Sequence, residues 1–341
     1  MARTARMSDV ARLAGVSTMT VSRVLNRSAG VTAKLQQKVF AAVEQLHYQP
    51  NDLARSLREQ RSHEIGIMVP YLFDPFFAIC AHSISAVAKQ HSYSVVLSTS
   101  DEDPKTEYEE VSRMLRRNVE GLIVIPSHAQ AGDSLLLAPQ FDRMPIVTLD
   151  RPVEGSGFDC LLVENEQGSK LGTEHLISMG HKRIAYIGLS DELYTMCMRH
   201  RGYENAMLGA GLRPAASICT SALEDALVKV RRLMSLKQRP TALFCANNLT
   251  TRHVLHGLQE LGIYPPETIA LVGFDDFETA DLLRPGITVV RQPSELLGRT
   301  AANMLFKRMS ESRKPTAGKR IVLPVELVVR GSCGALRRKP S

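Results

Sequence analysis

The sequence predicts an α/β protein of two parts, a small amino-terminal three-helix unit followed by a larger core of two doubly wound parallel sheets. The chain has 341 residues, 44% of them hydrophobic, which is too long for one compact core and apolar enough to fold. Residues 1–62 hold ten Lys and Arg against four Asp and Glu, whereas the other 279 residues carry a net charge of only +1. After His63, short apolar runs alternate with helical patterns, which is typical of parallel sheets covered by helices.

The charge and cysteine content narrow the class of protein. Positive charge concentrated in the first 62 residues is the pattern expected of a unit that binds the phosphates of nucleic acid. The six cysteines form no C-x-x-C pair and have no histidine spacing suited to zinc, so we expect no metal and no cofactor. There is no apolar leader and no run of eighteen apolar residues, so we expect a cytoplasmic protein without a membrane partner.

The first two predicted helices have the spacing of a helix-turn-helix. Ser8 can cap a helix over residues 9–14, and Gly15 supplies the permissive backbone of a tight turn. Ser17 can then cap a second helix over residues 18–26. The apolar side of the first helix is expected to consist of Val10, Leu13 and Ala14. The second helix is expected to bury Val21, Val24 and Leu25.

A third helix, over residues 33–46, is predicted to close the small bundle. It would do so through four apolar side chains, Leu35, Val39, Val43 and Leu46. The outer face of the second helix then carries the side chains that could enter a major groove of DNA, namely Thr18, Met19, Ser22, Arg23 and Asn26. The alternative, on spacing alone, is an ordinary basic helical bundle that binds nothing in particular.

A short helical stretch over residues 50–58 follows this bundle. A helix of about eight residues is marginal in isolation, so this one should need a partner. Together with three motifs upstream, the stretch closely resembles the lactose-repressor (LacI/GalR) family. Those motifs are Asp9-Val10-Ala11 through Gly15-Val16-Ser17, Thr20-Val21-Ser22-Arg23-Val24-Leu25-Asn26 and Tyr48-Gln49-Pro50-Asn51.

The resemblance implies a hinge helix that forms when two subunits meet on operator DNA. In this family a leucine that matches Leu57 wedges into the central minor groove, where an apolar side chain can unstack a flexible step and kink the duplex. The hinge residues implied to contact DNA are Asn51, Ala54, Leu57 and Arg58. Leu57 could otherwise be a buried linker residue. The implied division is a DNA-binding domain over 1–49, a hinge helix and linker over 50–62, and a core over 63–341.

Seven apolar runs in the core predict strands. They cover residues 65–69, 95–97, 122–125, 146–149, 184–187, 242–245 and 269–273. The first four runs and the last three would form two sheets of similar design, with the chain crossing between them near residues 162–165. We therefore expect a cleft between the two sheets.

Ligand-binding residues are expected just beyond the carboxyl ends of the strands, where ligands of such sheets bind. Those positions are occupied by Phe76, Phe77, Asp150, Asn247, Asp275 and Asp276. Carboxylates and amides can hydrogen-bond to adjacent hydroxyls, and a ring can cover the apolar face of a sugar, so the set suits a polyol. In the structural alternative, Phe76 and Phe77 are partly core, and Asp276 caps a helix that begins at Phe277.

The resemblance to the lactose-repressor family extends over nearly the whole chain. The core motifs are Pro75-Phe76-Phe77, Asn165-Glu166-Gln167-Gly168, Gly180-His181-Lys182-Arg183-Ile184-Ala185, Arg199 before Gly202-Tyr203, and Gly273-Phe274-Asp275-Asp276. They imply a periplasmic-binding-protein-like core with one subdomain over about 63–163 plus 292–323 and another over about 164–291 plus 324–334. By the same resemblance, Arg199 clamps the effector together with Asp150, Asn247 and Asp275. Arg199 and Asp275 could instead pair across the cleft as a structural clamp.

One departure from the family concerns the effector. Many members read Asn-Asp after the strand at 242–245, whereas this chain has Asn247-Asn248 and then Arg252. The lost carboxylate and the added arginine favour a sugar acid or a sugar phosphate over a neutral sugar. The family's tetrameric members add a leucine-heptad tail, but no such tail follows Arg330, so we expect a homodimer.

The function implied is a sequence-specific repressor of carbohydrate or sugar-acid metabolism genes. It would bind a pseudopalindromic operator as a dimer and be released by a small-molecule effector, a sugar, sugar acid or sugar phosphate. Two rival hypotheses stay open at this point. One is an enzyme that uses Asp275, Asp276 and Glu278, although no nucleophile or phosphate-binding loop accompanies them. The other is an architectural DNA-binding protein whose cleft is filled by side chains.

Overall fold

Three helices form the amino-terminal unit of the computed structural model, which describes residues 5–25, 31–48, 61–127, 134–311 and 318–334. They are α1 (Met7–Ala14), α2 (Thr18–Leu25) and α3 (Ala33–Gln45). Their shared core consists of Val10, Ala11, Val21, Val24, Val39, Ala42 and Tyr48. Gly15 makes the turn after α1 with a left-handed φ of 68°, and the Ser17 hydroxyl accepts the Thr20 amide at 3.2 Å to cap α2, as predicted. The chain divides into two units, Met1–Ser62 and His63–Ser341.

The predicted start of α1 is wrong, and so is Leu13 of its predicted apolar face, whereas Val10 is buried and Ala14 packs against the core as predicted. The helix begins at Met7 and its cap is Arg6, whose backbone amide donates to Asp9 Oδ2 over 2.9 Å, so Ser8 has no capping role. Leu13 is 46% exposed, and Ala11 lies in the core instead. The small side chain of Ala11 faces α2 and α3, where a leucine would keep the helices apart. In α3, similarly, Ala42 is buried while Leu35 stays at the periphery.

A six-stranded, fully parallel sheet forms the first lobe of the core, with the strand order β11-β5-β4-β3-β1-β2. Its strands are β1 (Glu64–Val69), β2 (Ser94–Thr99), β3 (Gly121–Val124), β4 (Ile146–Leu149), β5 (Asp159–Val163) and β11 (Arg320–Leu323). Its helices are α4 (Pro75–Gln90), α5 (Pro104–Arg116) and α10 (Ser294–Ser310), with two short 3₁₀ turns, Leu135–Leu137 and Pro139–Phe141. Ile65, Ile67 and Val69 pack on one face of the sheet and Met68 on the other, so both faces are covered.

The second lobe repeats this design with the strand order β12-β10-β9-β8-β6-β7, in which only the pairing of β12 with β10 is antiparallel. Its strands are β6 (Ile184–Gly188), β7 (Ala216–Ile218), β8 (Ala242–Cys245), β9 (Ala270–Phe274), β10 (Thr288–Arg291) and β12 (Glu326–Val328). Its helices are α6 (Asn165–Ser178), α7 (Tyr194–Gly209), α8 (Leu223–Ser235) and α9 (Asn248–Glu260). All seven predicted strands are present. The chain passes between the lobes after β5, as predicted, and again after β10 and after β11.

Two glycines allow helices to pack closely beside the cleft. A Cβ on Gly202 of α7 would lie 2.1 Å from the carbonyl oxygen of Glu166 in α6, and one on Gly298 of α10 would lie 2.5 Å from that of Cys80 in α4. Only a residue without a side chain fits at these contacts. None of the helices within the described residues is long and apolar enough to span a membrane.

Candidate ligand-binding cleft

A cavity of about 310 Å³ lies between the two sheets and is lined by both lobes. It collects six of the seven side chains that the sequence proposed for a ligand, which are Phe76, Phe77, Asp150, Arg199, Asn247 and Asp275, whereas Asp276 does not line it. It also includes residues that sequence reasoning did not propose as ligand contacts, among them Asp74, Glu102, Arg151, Asn248 and Gln292. The volume is that of a small-molecule site.

Asp150 and Asp275 occupy equivalent positions in the two lobes. Each follows a central strand, β4 or β9, and each has a left-handed backbone, with φ of 68° and 71°. The Asp150 amide donates to the carbonyl of Leu161 at 2.9 Å, and the Asp275 amide donates to that of Val290 at 2.8 Å. Aspartate is one of the few residues that tolerate this conformation, and strain of this kind is concentrated at functional sites. The repeated fold therefore presents one carboxylate from each wall of the cleft.

The Asp150 carboxylate is buried and only half satisfied. Its residue is 5% exposed, its Oδ2 lies 3.6 Å from Arg151 Nε, and its Oδ1 has no hydrogen-bond partner among the described residues. Burial raises its pKa to about 6, against the opposing charges of Arg151 and Arg199. A residue that lines the cavity thus holds a buried acceptor at an electrostatic cost that a hydrogen-bond donor would offset.

Arg151, which directly follows Asp150, is the main residue that the sequence analysis missed. Its guanidinium makes a two-pronged ion pair with Glu102, with Nη1–Oε2 at 2.6 Å and Nη2–Oε1 at 2.7 Å, and Nη1 also donates to the carbonyl of Pro126 at 3.0 Å. Its Nε is buried and has no hydrogen-bond partner in the described part of the chain. The feature of the sequence that could have identified Arg151 is its position directly after Asp150, the carboxylate at the end of β4.

Arg199 is fully buried in the second lobe. Its Nε donates to Asn165 Oδ1 at 2.8 Å, and its Nη1 donates to the carbonyl of Ala246 at 2.8 Å and to Asp275 Oδ2 at 3.3 Å. The guanidinium also stacks 3.8 Å from the ring centre of Phe274. Arg199 and Asp275 therefore do pair, but the expectation that they pair across the cleft is wrong, because both belong to the second lobe.

Asn248 and Asp74 make a direct hydrogen bond between the lobes. Asn248 Nδ2 donates to Asp74 Oδ1 at 2.9 Å, and burial followed by the charge of Asp275 raises the pKa of Asp74. The neighbouring Asn247 caps α9 instead, since its Oδ1 accepts the Thr250 amide at 2.9 Å. Gln292 Nε2 donates to Asp275 Oδ1 at the point where the chain leaves β10. An aspartate at position 248 would repel Asp74. This repulsion gives a physical reason why the chain has Asn247-Asn248 where many members of the family have Asn-Asp.

Phe76 and Phe77 lie both in the core and at the cavity, so their positions are compatible with both proposed roles. Phe76 and Phe77 are 7% and 6% exposed, pack in the core of the first lobe with ring centres 5.3 Å apart, and line the cavity. The predicted helix cap at Asp276 is wrong, because no helix begins at Phe277 in this described stretch. The Asp276 carboxylate is instead held at 2.7 Å by Arg291 and at 2.7 Å by Arg330. Despite partial burial, these arginines hold the pKa of Asp276 below its ordinary value.

A second cavity, of about 570 Å³, shares Phe76, Asp275 and Gln292 with the cleft. Part of its charged lining is already paired, since Asp276 is held by Arg291 and Arg330. The smaller cavity is lined by Asp150 and Arg151, each of which has a buried polar atom without a partner among the described residues, and this makes it the better candidate for a ligand.

The proposed DNA-contacting residues divide into two groups. On α2, Thr18 and Arg23 are exposed, Met19 is 73% exposed and Ser22 is partly buried, while Val21 and Val24 face the core. This helix therefore presents one polar, open face. The other five proposed contacts lie outside the described residues, and they are Asn26, Asn51, Ala54, Leu57 and Arg58.

Two family models match this chain. One, described as bacterial regulatory proteins of the lacI family, matches residues 6–51, and the other, a periplasmic binding protein-like domain, matches residues 173–333. The HTH-type transcriptional repressor PurR of Haemophilus influenzae (strain PittEE) is 32% identical over 332 residues, which covers 96% of this chain and 98% of the relative. PurR of Histophilus somni (strain 129Pt) is 31% identical over 335 residues, with 97% and 100% covered.

Solved structures of regulators are similar over nearly the full length. A lac repressor dimer bound to operator and the anti-inducer ONPF has a TM-score of 0.86 and 27% identity, with 97% of this chain and 99% of that chain covered. A complex of the transcriptional regulator CelR with cellobiose has a TM-score of 0.70 and 30% identity, with 96% and 99% covered.

Proposed function

Because this chain belongs to the lacI family of bacterial regulatory proteins, which are regulators and not enzymes, we propose that it is a transcriptional repressor controlled by a small polyhydroxylated metabolite. The observation that carries the proposal is the combination of two sites in one chain. One is a helix with an open polar face in a basic unit, and the other is a cavity with buried, unsatisfied polar atoms. An architectural DNA-binding protein would have no use for such a cavity.

The chemistry of the cleft supports a carbohydrate-like effector. The rings of Phe76 and Phe77 offer an apolar surface, and Asp150, Arg151 and Gln292 each have a buried polar atom without a partner among the described residues. Hydroxyl groups can donate to the carboxylate and accept from the guanidinium, so a polyol satisfies both. The relatives include PurR repressors as well as a regulator with bound cellobiose, and they do not point to one class of effector. The proposal of a carbohydrate therefore rests on the side chains of the cleft.

The repressor is proposed to act as a homodimer on a pseudopalindromic operator. Two copies of α2 would sit in successive major grooves, with the hinge segment over 50–62 between the DNA-binding domain over 1–49 and the core. Effector binding would change the relative pose of the two lobes, disfavour the folding of the paired hinge helices and so weaken operator binding. The change must be reciprocal, so operator must weaken effector binding by the same factor.

Replacing Arg23 by Ala is expected to weaken operator binding about fivefold or more, because a side chain that contacts a base edge or phosphate contributes roughly 1–3 kcal/mol. Thr18 and Met19, at the amino end of α2, are expected to set base preference. The measurement is fluorescence anisotropy of a duplex selected by the full-length protein from a random pool. Lys105→Ala is the control, since it removes one positive charge from the exposed surface of the core.

Unchanged affinity of Arg23→Ala for the selected duplex would remove Arg23 from the set of contacts. Failure to select any duplex sequence from the pool would contradict the proposed function as a whole.

A further inference from the structure

We propose that the effector is anionic as well as polyhydroxylated, a sugar acid or a sugar phosphate, and that Arg252 binds its acidic group. This inference rests on the proposed function and assigns the charge class of its ligand.

Arg252 differs from the other cations of the cleft. Arg151 is paired with Glu102 at 2.6 Å, and Arg199 is paired with Asp275 at 3.3 Å. Arg252 lies in the second turn of α9, is exposed, lines the same cavity and has no acidic partner within the described ranges of the chain. It is thus a positive charge that faces the cavity and is available to a ligand.

The amino end of α9 adds to this positive potential. The amides of Asn248 and Leu249 are the first two of the helix and have no acceptor in the part of the chain that the structure describes. Such amides and the helix dipole favour an anion. Burial and then the charge of Arg252 lower the pKa of the adjacent His253.

The first lobe supplies the complementary wall for hydroxyl groups. Asp150 Oδ1 is an acceptor and Arg151 Nε is a donor, both residues are more than nine-tenths buried, and neither atom has a partner among the described residues. A ligand hydroxyl can donate to one and accept from the other. Repulsion by Asp150 and Asp74 disfavours an acidic group at this wall and so directs it toward Arg252 on the other lobe.

A neutral sugar would satisfy the first wall but leave Arg252 and the amides of α9 to water. A ligand with a carboxylate or phosphate at one end of a polyol would satisfy both walls at once. The arginine fork can hold either anion, so the shared chemistry is that of an acidic polyol.

The test uses compounds that share a hydroxyl framework and differ in charge. Glucose, glucuronate, gluconate and glucose 6-phosphate are compared, as are galactose, galacturonate and galactose 6-phosphate, with adenine as a planar neutral contrast. Each is tested on the full-length protein by thermal shift and then by calorimetry, at matched ionic strength. At least one anion is expected to raise the melting temperature and to bind at least tenfold more tightly than its neutral parent.

Arg252→Gln should weaken binding of that anion about tenfold or more and leave the affinity for the neutral parent unchanged. The matched control is Arg231→Gln on α8, an exposed arginine paired with Glu260 away from the cavity. Arg231→Gln should bind the anion as the unmodified protein does. Carboxylate and phosphate members of each set identify which of the two acidic groups is preferred.

The inference would be overturned if the neutral parent and the anion bound equally, or if Arg252→Gln bound the anion normally. It would also be overturned if only adenine raised the melting temperature, or if none of the compounds did. Operator binding, measured on the same preparation, distinguishes failure of this inference about the effector from failure of the proposed function as a repressor. A protein that selects a DNA sequence but binds no acidic polyol keeps the proposed function and loses this inference.

Discussion

Replacing Arg199 by Met is expected to lower the free energy of unfolding of the core by about 3–5 kcal/mol, because it breaks a buried ion pair by removing one partner. The side chains of Arg199 and Asp275 are 3% and 8% exposed. Without the guanidinium, the Asp275 carboxylate keeps its bond from Gln292 but loses its counter-charge. Asn165 and the carbonyl of Ala246 lose their donors as well.

The measurement is urea unfolding, with Arg201→Met as the matched control on the same helix. Arg201 is 62% exposed in its side chain and lies 3.5 Å from Glu166, so its loss should change stability by less than about 1 kcal/mol. The double variant Arg199→Met with Asp275→Asn should recover part of the loss, since it removes the uncompensated charge. Equal stability of Arg199→Met and Arg201→Met would show that the buried network does not hold the second lobe together.

Replacing Asp150 by Asn is expected to stabilise the ligand-free protein by about 3 kcal/mol at pH 8 and by about half as much at pH 5. Burial raises the Asp150 pKa from an ordinary value of 3.8 to about 6. Between these values the native state keeps a proton that the unfolded chain has lost, so stability falls as the pH rises through this window. Above pH 6 the full penalty is present, and the neutral amide removes it.

Unfolding of both proteins at pH 5 and pH 8 tests this directly. Asparagine tolerates the left-handed backbone at position 150, so the substitution should not strain the turn. The control is Asp142→Asn, at an exposed position of the same lobe. A stability difference that is the same at both pH values would mean that Asp150 is not a destabilising buried charge in the ligand-free state.

The central strands could be predicted from the sequence because both of their faces are buried. The residues of β3, β4, β8 and β9 are all buried, so each reads as a continuous apolar run. The strands β7 and β12 have only three residues each, partly exposed at the sheet edges, and give no such run. Their pairing is determined by contacts distant in sequence.

The residues at the strand ends of the candidate cleft could be predicted from the sequence. The hydrogen bonds and ion pairs between the residues of the cleft could not. Asp150 and Asp275 could be found because topology brings the carboxyl ends of parallel strands together. The partners of Asp74 and Arg151 depend on side chains 174 and 49 residues away, which no local pattern reveals. Asn247, which was predicted as a ligand contact, lines the cavity and also caps α9, a second role that the sequence did not indicate.

The central claim is that occupancy of the cleft changes operator affinity, and one linked measurement tests it. Operator affinity is determined with and without a saturating concentration of the most strongly bound acidic polyol, and the affinity for that compound is determined with and without operator. The account predicts that the compound weakens operator binding at least fivefold and that operator weakens binding of the compound by the same factor. Tighter operator binding would contradict release by the effector, and unchanged operator affinity with the cleft occupied would contradict the coupling itself.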